Sequence, residues 1–193
     1  MSSSLSFELT DKVVIVTGAG RGIGKAIALT CAQHGATLAL GSRTVAESET
    51  VAALCRDLGR PAAAWPLDVS NLPSMQAFVD QVLAAYGRID VLVNNAGYNL
   101  PKPALDYTEA EYDAIVDTNL KGVFFLSTMV ARSMIERRVE GAIITITSQA
   151  GVVGAPLRSV YSGAKAGAAH LSRTLAAEWA QHKITVNAVA PTF

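Results

Sequence analysis

Six short runs along this chain are apolar at nearly every residue and not at every second one. They are KVVIVTG from 12, ATLALGS from 36, PAAAWPLD from 61, IDVLVNN from 89, AIITITS from 142 and KITVNAVA from 183. A strand with one wet face alternates polar and apolar residues, whereas continuous apolar character requires both faces to be covered. Stretches of helical period separate the runs. Ile23, Ile27, Thr30 and Cys31 are predicted to share one helical face, and Phe78, Val79, Val82, Leu83 and Tyr86 another. Regular alternation of this kind predicts right-handed βαβ units, hence an α/β fold with a doubly wound parallel sheet and helices on both faces. With no linker or low-complexity tract in 193 residues, the expectation is a single domain over 1–193.

Ligands of such folds sit at the carboxyl ends of the strands. Chemistry-bearing residues fall at five of these ends: Gly18 to Gly24, Ser42 with Arg43, Asp68, Asn94 to Gly97, and Ser148. Composition removes several other classes. Sixteen Lys and Arg balance sixteen Asp and Glu, which leaves no overall field to attract nucleic acid or an anionic membrane. The opening MSSSLSFELT lacks a basic segment followed by a long apolar one, and no later apolar run reads as long enough to cross a bilayer. Cys31 and Cys55 have no metal-binding spacing and read as reduced thiols, so the expectation is a cytoplasmic protein without a metal site. His34, His170 and His182 fall outside the strand-end set and read as surface or packing residues.

TGAGRGIG, residues 17–24, joins the first strand to the first helix. Its glycines permit a tight turn and let backbone N–H groups approach a pyrophosphate at the positive end of the helix. The spacing departs from GxGxxG, because Ile23 occupies the position of the last glycine. The pattern TGxxxGxG at Thr17, Gly18, Gly22 and Gly24, the NNAG of 94–97, and YxxxK at Tyr161 and Lys165 with Ser148 upstream resemble the signatures of the short-chain dehydrogenase/reductase family, in the family's order and over nearly the whole chain. A second YxxxK, Tyr98 to Lys102, is interrupted by Pro101, which opposes a helix.

The resemblance implies a Rossmann-like fold and a nicotinamide dinucleotide held by Gly18, Arg21, Gly22, Ile23 and Gly24. It places Asp68 and Val69 at the adenine and lines the adenosine side with Asn94, Ala96 and Gly97; Asn95 reads either as part of that lining or as a brace between strands. An acid about twenty residues beyond the loop binds the 2′-hydroxyl of NAD, whereas Arg suits the 2′-phosphate of NADP. Here LGSRT at 40–44 offers no carboxylate. Ser42, Arg43 and Arg21 can take the phosphate, so the expected cofactor is NADP(H).

Residues four apart on a helix stack on one face, so Tyr161 and Lys165 can address one reacting centre. A phenol alone is a poor proton-transfer group at neutral pH. An ammonium about 5 Å away, at an effective dielectric of about 20, favours the phenolate by roughly 3 kcal/mol. The pair therefore reads as a general acid/base, with Lys165 also binding the nicotinamide ribose. Ser148 is placed to steady a carbonyl oxygen, and by resemblance Asn119, in a predicted helix, kinks that helix and completes a proton path.

The expected function is hydride transfer between NADP(H) and a small carbonyl or alcohol substrate, with a 3-oxoacyl thioester as a narrower form. GVVGAPL at 151–157 and YNLP at 98–101 hint at an apolar substrate. A nucleotide-sugar epimerase or dehydratase is disfavoured by the glycine spacing; a cofactor-binding protein without catalysis is the alternative. Family members continue beyond NAVAP with Gly and a lid, whereas Thr192 stands here, so the chain reads as six strands truncated before a seventh, without the substrate lid. The helices around 108–138 and 158–180 are the expected contact faces of a homodimer or homotetramer.

Overall fold

The computed structural model describes residues 7–192 and joins the six runs in one parallel sheet of order β3-β2-β1-β4-β5-β6. The strands are β1 Val13–Thr17, β2 Thr37–Ser42, β3 Ala62–Pro66, β4 Val91–Asn94, β5 Ala142–Ile146 and β6 Thr185–Val189. The helices are α1 Gly22–Gln33, α2 Val45–Asp57, α3 Leu72–Tyr86, α4 Glu109–Val116, α5 Gly122–Glu136 and α6 Ser159–Trp179. Residues 1–6 and Phe193, which carry the expectations about the two ends of the chain, lie outside the described residues. The sheet grows from β1 in both directions, so the strand order reverses between β1 and β4 and opens a crevice above their carboxyl ends.

Both faces of the sheet are covered, as continuous apolar strands require. Ile15, Phe78, Leu92, Leu126 and Ile143 pack on the side of α3 and α5, while Val14, Val16, Leu38 and Leu40 pack with Ala28, Val51 and Cys55 on the side of α1 and α2. β1 is buried at every residue, but β3 and β6 are the sheet edges, and β6 buries only Val186 of its five residues. Continuous burial therefore holds for the central strands and fails at the rims.

Two readings of the helices are sharpened. The buried residues of α1 are Gly24, Ala28 and Ala32, with Ile27 and Cys31 packed partly buried beside them, whereas Ile23 and Thr30 are exposed. A helix lying close on a sheet needs small residues at the contact, and periodicity in hydrophobicity does not report periodicity in size. The second concerns the absence of a membrane-length run. α4, a π-helical turn at Asp117–Lys121 and α5 form one helical stretch, Glu109–Glu136, long and apolar enough by length and composition to cross a bilayer. Its apolar residues serve the core instead: Leu126, Val130, Ala131 and Met134 are buried beneath the sheet.

One buried carboxylate locks the crevice's two strands. Asp90, 2% exposed, accepts the Val13 N–H at 3.0 Å and holds the Arg88 guanidinium at 2.6 and 3.0 Å, with the Lys12 Nζ at 3.7 Å. Truncating it leaves a buried N–H and a guanidinium unpaired. Asp90→Ala should lose about 2–3 kcal/mol of stability, read as a lower urea midpoint at unchanged slope.

Candidate active site

The crevice begins at the glycine loop. β1 ends at Thr17, and Gly18 (φ 63°) and Gly22 (φ 54°) adopt the left-handed backbone that favours glycine. Any Cβ on Gly24 would lie 2.3 Å from the Gly18 carbonyl oxygen, so the loop closes on α1 only because that atom is missing. The first turn of α1 carries no acidic residue and its cap position, Arg21, makes no side-chain cap, leaving the helix's first N–H groups for an anion.

A second loop is fastened to the first. Thr17 Oγ1 accepts the N–H groups of Asn95 and Ala96 at 3.0 and 2.9 Å, and Asn95 Nδ2 donates to the carbonyls of Thr17 and Gly18 at 2.8 and 3.2 Å. Of the two readings left open for Asn95 both apply: it braces the strands and lines the groove. Asn94 does not line it. As the last residue of β4 it points inward, is buried, and donates to Ser127 Oγ on α5 at 2.9 Å.

The groove so formed encloses about 270 Å³. Gly18, Arg21, Ser42, Arg43, Asp68, Val69, Asn95, Ala96 and Gly97 all line it. Burial alone would raise the Asp68 carboxyl, but hydrogen bonds from the Ser70 N–H and hydroxyl at 2.9 and 2.6 Å, with the charge of Arg43, hold it below its usual range. The helix-capping role is taken by Asn71, which accepts from the Ser74 N–H at 2.9 Å. The absence of a carboxylate at 40–44 is qualified by Glu47. The first turn of α2 brings it to the same groove, where a Cβ on Gly20 would sit 3.0 Å from its Oε2. Glu47 and Thr118 are lining residues that the motif reading did not find, because they lie on helices that only the folded chain brings to the strand ends.

A second cleft of about 390 Å³ continues from the first through Asn95 and Gly97, which line both. Ile23, Ser148, Tyr161 and Lys165 meet there. Ser148 leaves β5 with extended backbone, and its Oγ accepts the Ala150 N–H at 3.1 Å. No acceptor among the described residues takes the Ser148 proton. Tyr161 is half-buried in the first turn of α6, and Lys165 lies one turn on, with its Nζ 5.7 Å from the Tyr161 ring centroid. Lys165 is 3% exposed and donates to the Ile146 carbonyl at 2.8 Å. Burial pushes its amine down to about 8. Lys102, from the rejected YxxxK, instead bonds both carboxylate oxygens of Glu111.

Asn119 stands behind Gly97, fully buried in the π-helical turn. Its Nδ2 donates to the carbonyls of Tyr98 and Ile115 at 2.6 and 2.9 Å, and its Oδ1 accepts the Tyr98 N–H at 3.4 Å. A Cβ on Gly97 would lie 3.2 Å from Asn119 Oδ1 and 3.6 Å from Lys165 Nζ, so the two side chains converge where that glycine has none. Tyr98 and Asn99 add to the wall of this cleft, and the Asn99 Oδ1 is buried without a partner among the described residues. A groove with an anion-ready helix end, a glycine loop that lets backbone come close, and a hydroxyl, phenol and amine at its far end fits a dinucleotide.

Comparison with known proteins follows the same lines. The sequence model of the short chain dehydrogenase family matches residues 12–193. The 3-oxoacyl-(acyl-carrier-protein) reductase FabG of Thermotoga maritima is 38% identical over 185 residues, covering 96% of this chain and 75% of that protein. The 2-dehydro-3-deoxy-D-gluconate 5-dehydrogenase of Escherichia coli is 36% identical over 188 residues, covering 97% and 74%. A metagenomic short-chain oxidoreductase solved in complex with NADP superposes with a TM-score of 0.91 at 38% identity, covering 96% of this chain and 84% of that one.

The buried lysine gives a pH test. Its amine releases a proton at about 8 in the folded chain but near 10.5 when unfolded. Between those values the unfolded state binds more protons, so this group's contribution to stability rises with pH over that window. Wild type should therefore gain on Lys165→Met by about 2–3 kcal/mol between pH 7 and pH 10, measured by urea unfolding of both at each pH.

Proposed function

The chain belongs to the short-chain dehydrogenase/reductase family of oxidoreductases, and on that premise we propose that it moves hydride between NADP(H) and a ketone or secondary alcohol, with 3-oxoacyl thioesters as the leading substrate class. The observation that carries the reading is the meeting of Ser148, Tyr161 and Lys165 in a cleft continuous with the dinucleotide groove.

The nicotinamide, when bound, supplies the hydride. This chain supplies the geometry and the proton. Ser148 spends no proton within the protein and donates it to the substrate oxygen, where negative charge develops. Tyr161 protonates that oxygen, or removes its proton in the reverse direction. Lys165, held by Ile146, keeps a positive charge beside the phenol and would hold the nicotinamide ribose. Asn119 positions the Tyr98 backbone and thereby the cleft wall.

Preference for NADP(H) is supported by Arg43, Arg21 and Ser42 around one end of the groove and by the NADP complex of a relative. Glu47 opposes it only in part, being one carboxylate against two cations. Tyr98, which lines the cleft, and the exposed Val152, Val153 and Leu157 of the segment that follows Ser148 support a substrate with an apolar arm. The reading includes a cytoplasmic location and a homodimer or homotetramer built on α5 and α6, which present Phe124, Ile135 and Trp179 along a shared groove.

NADPH oxidation against ketones and 3-oxoacyl thioesters is the test. Tyr161→Phe should lose about 10²–10⁴-fold in kcat while NADPH still binds. Equal turnover by both forms overturns the role of the phenol, and NADPH binding without turnover in wild type supports a binding protein instead. Arg43→Asp should weaken NADPH about tenfold or more and leave NADH unchanged in the same titration.

A further inference from the structure

The buried face of α2 is an apolar stripe, Val51, Ala52 and Cys55, that starts with a serine. Ser48 is 0% exposed, and a hydroxyl in such a place needs a partner. That partner is Ser42, at 2.6 Å between the two Oγ atoms. The direction of the bond follows from counting protons. Ser42 Oγ donates its single proton to the Thr44 carbonyl at 2.9 Å. The proton in the Ser48–Ser42 contact must then come from Ser48, because each hydroxyl carries one.

We infer that Ser48 is a positioning residue for the cofactor's 2′-phosphate, acting through Ser42. This rests on the NADP(H) reading above. Ser42 lines the groove beside Arg43, and its oxygen is held from behind by Ser48 whichever way its own proton points. A phosphate oxygen only accepts, so Ser42 must turn its proton from the Thr44 carbonyl to the ligand on binding. Ser48 keeps the oxygen in place through that turn and polarises its O–H, which strengthens the new bond. Without Ser48, Ser42 keeps its proton on Thr44 and the groove loses a donor. A 2′-hydroxyl can itself donate to Ser42 and makes no such demand, so the effect falls on NADPH and spares NADH.

Binding titrations of both cofactors report this directly, without turnover. Ser48→Ala should weaken NADPH about two- to tenfold and leave NADH unchanged. Ser42→Ala should do the same, and the double variant no more than Ser42→Ala alone. Ser48→Thr, which keeps the hydroxyl, should bind NADPH more tightly than the equally shaped Ser48→Val. Equal weakening of both cofactors, an unchanged NADPH affinity, additive single effects, or Thr matching Val would each overturn the inference while leaving the cofactor reading intact. A wild type that binds NADH more tightly than NADPH overturns the cofactor reading, and this inference with it.

Discussion

The clasp between Thr17 and Asn95 is the contact on which the site depends. Parallel strands leave their carboxyl ends as separate loops, and nothing in the ladder of a sheet fixes one loop against the next. Here the Thr17 hydroxyl takes two N–H groups of the second loop, and the Asn95 amide returns two bonds to the first. Both loops become one wall. A partly buried polar network is worth its desolvation only when its members are satisfied, and this one is. The left-handed Gly18 and the closely packed Gly24 then have a fixed frame to fit.

Lys165 shows the opposite economy. An amine titrating at about 8 is still mostly protonated at neutral pH, so the fold carries a charge it would be more stable without. Two things hold it: the Ile146 carbonyl at the end of β5, and the face of the Tyr161 ring at 5.7 Å. Both belong to the site. Local instability of this kind persists where a function requires it, and the surrounding packing of α6 against β5 and β6 supplies the margin.

How much of this was legible in the sequence depends on the distance over which each feature is determined. The six strands, the glycine loop and the Tyr161–Lys165 pair are local patterns, and the chain states them openly. Asn94 and Asn95 are harder, because which of two neighbouring residues faces the crevice is set by the strand's pleat against its partners, and here Asn94 turns to Ser127. The closest contact of α1 with the sheet is not marked in the sequence, because Ile23 and Ile27 are more apolar than Ala28 and Ala32, yet close approach to the sheet selects size. The π-helical turn around Asn119 has no sequence mark beyond an asparagine in a helix, since the bonds to Tyr98 that satisfy it come from a loop 21 residues away. Glu47 enters the groove only because α2 starts beside the glycine loop, at Gly20.

The two halves of the crevice are built differently, and this bears on what can vary. The dinucleotide half rests on strand ends and on backbone approach, where a Cβ on Gly18, Gly20 or Gly24 would strike neighbouring atoms. Little can change there without loss of the groove. The far half is walled in part by Tyr98, Asn99, Pro191 and Thr192, outside the strands, and the chain after Asn99 is tied to the segment after Ser148 by the Lys102 N–H to the Leu157 carbonyl. Leu105, Val152 and Leu157 in these two segments expose their side chains, so substitutions at these positions disturb no core. A constrained end beside a freely varying one is compatible with a 3-oxoacyl-(acyl-carrier-protein) reductase and a 2-dehydro-3-deoxy-D-gluconate 5-dehydrogenase both resembling this chain at similar identity. Chemistry is written in the sheet, and the choice of substrate in the loops that lean over it.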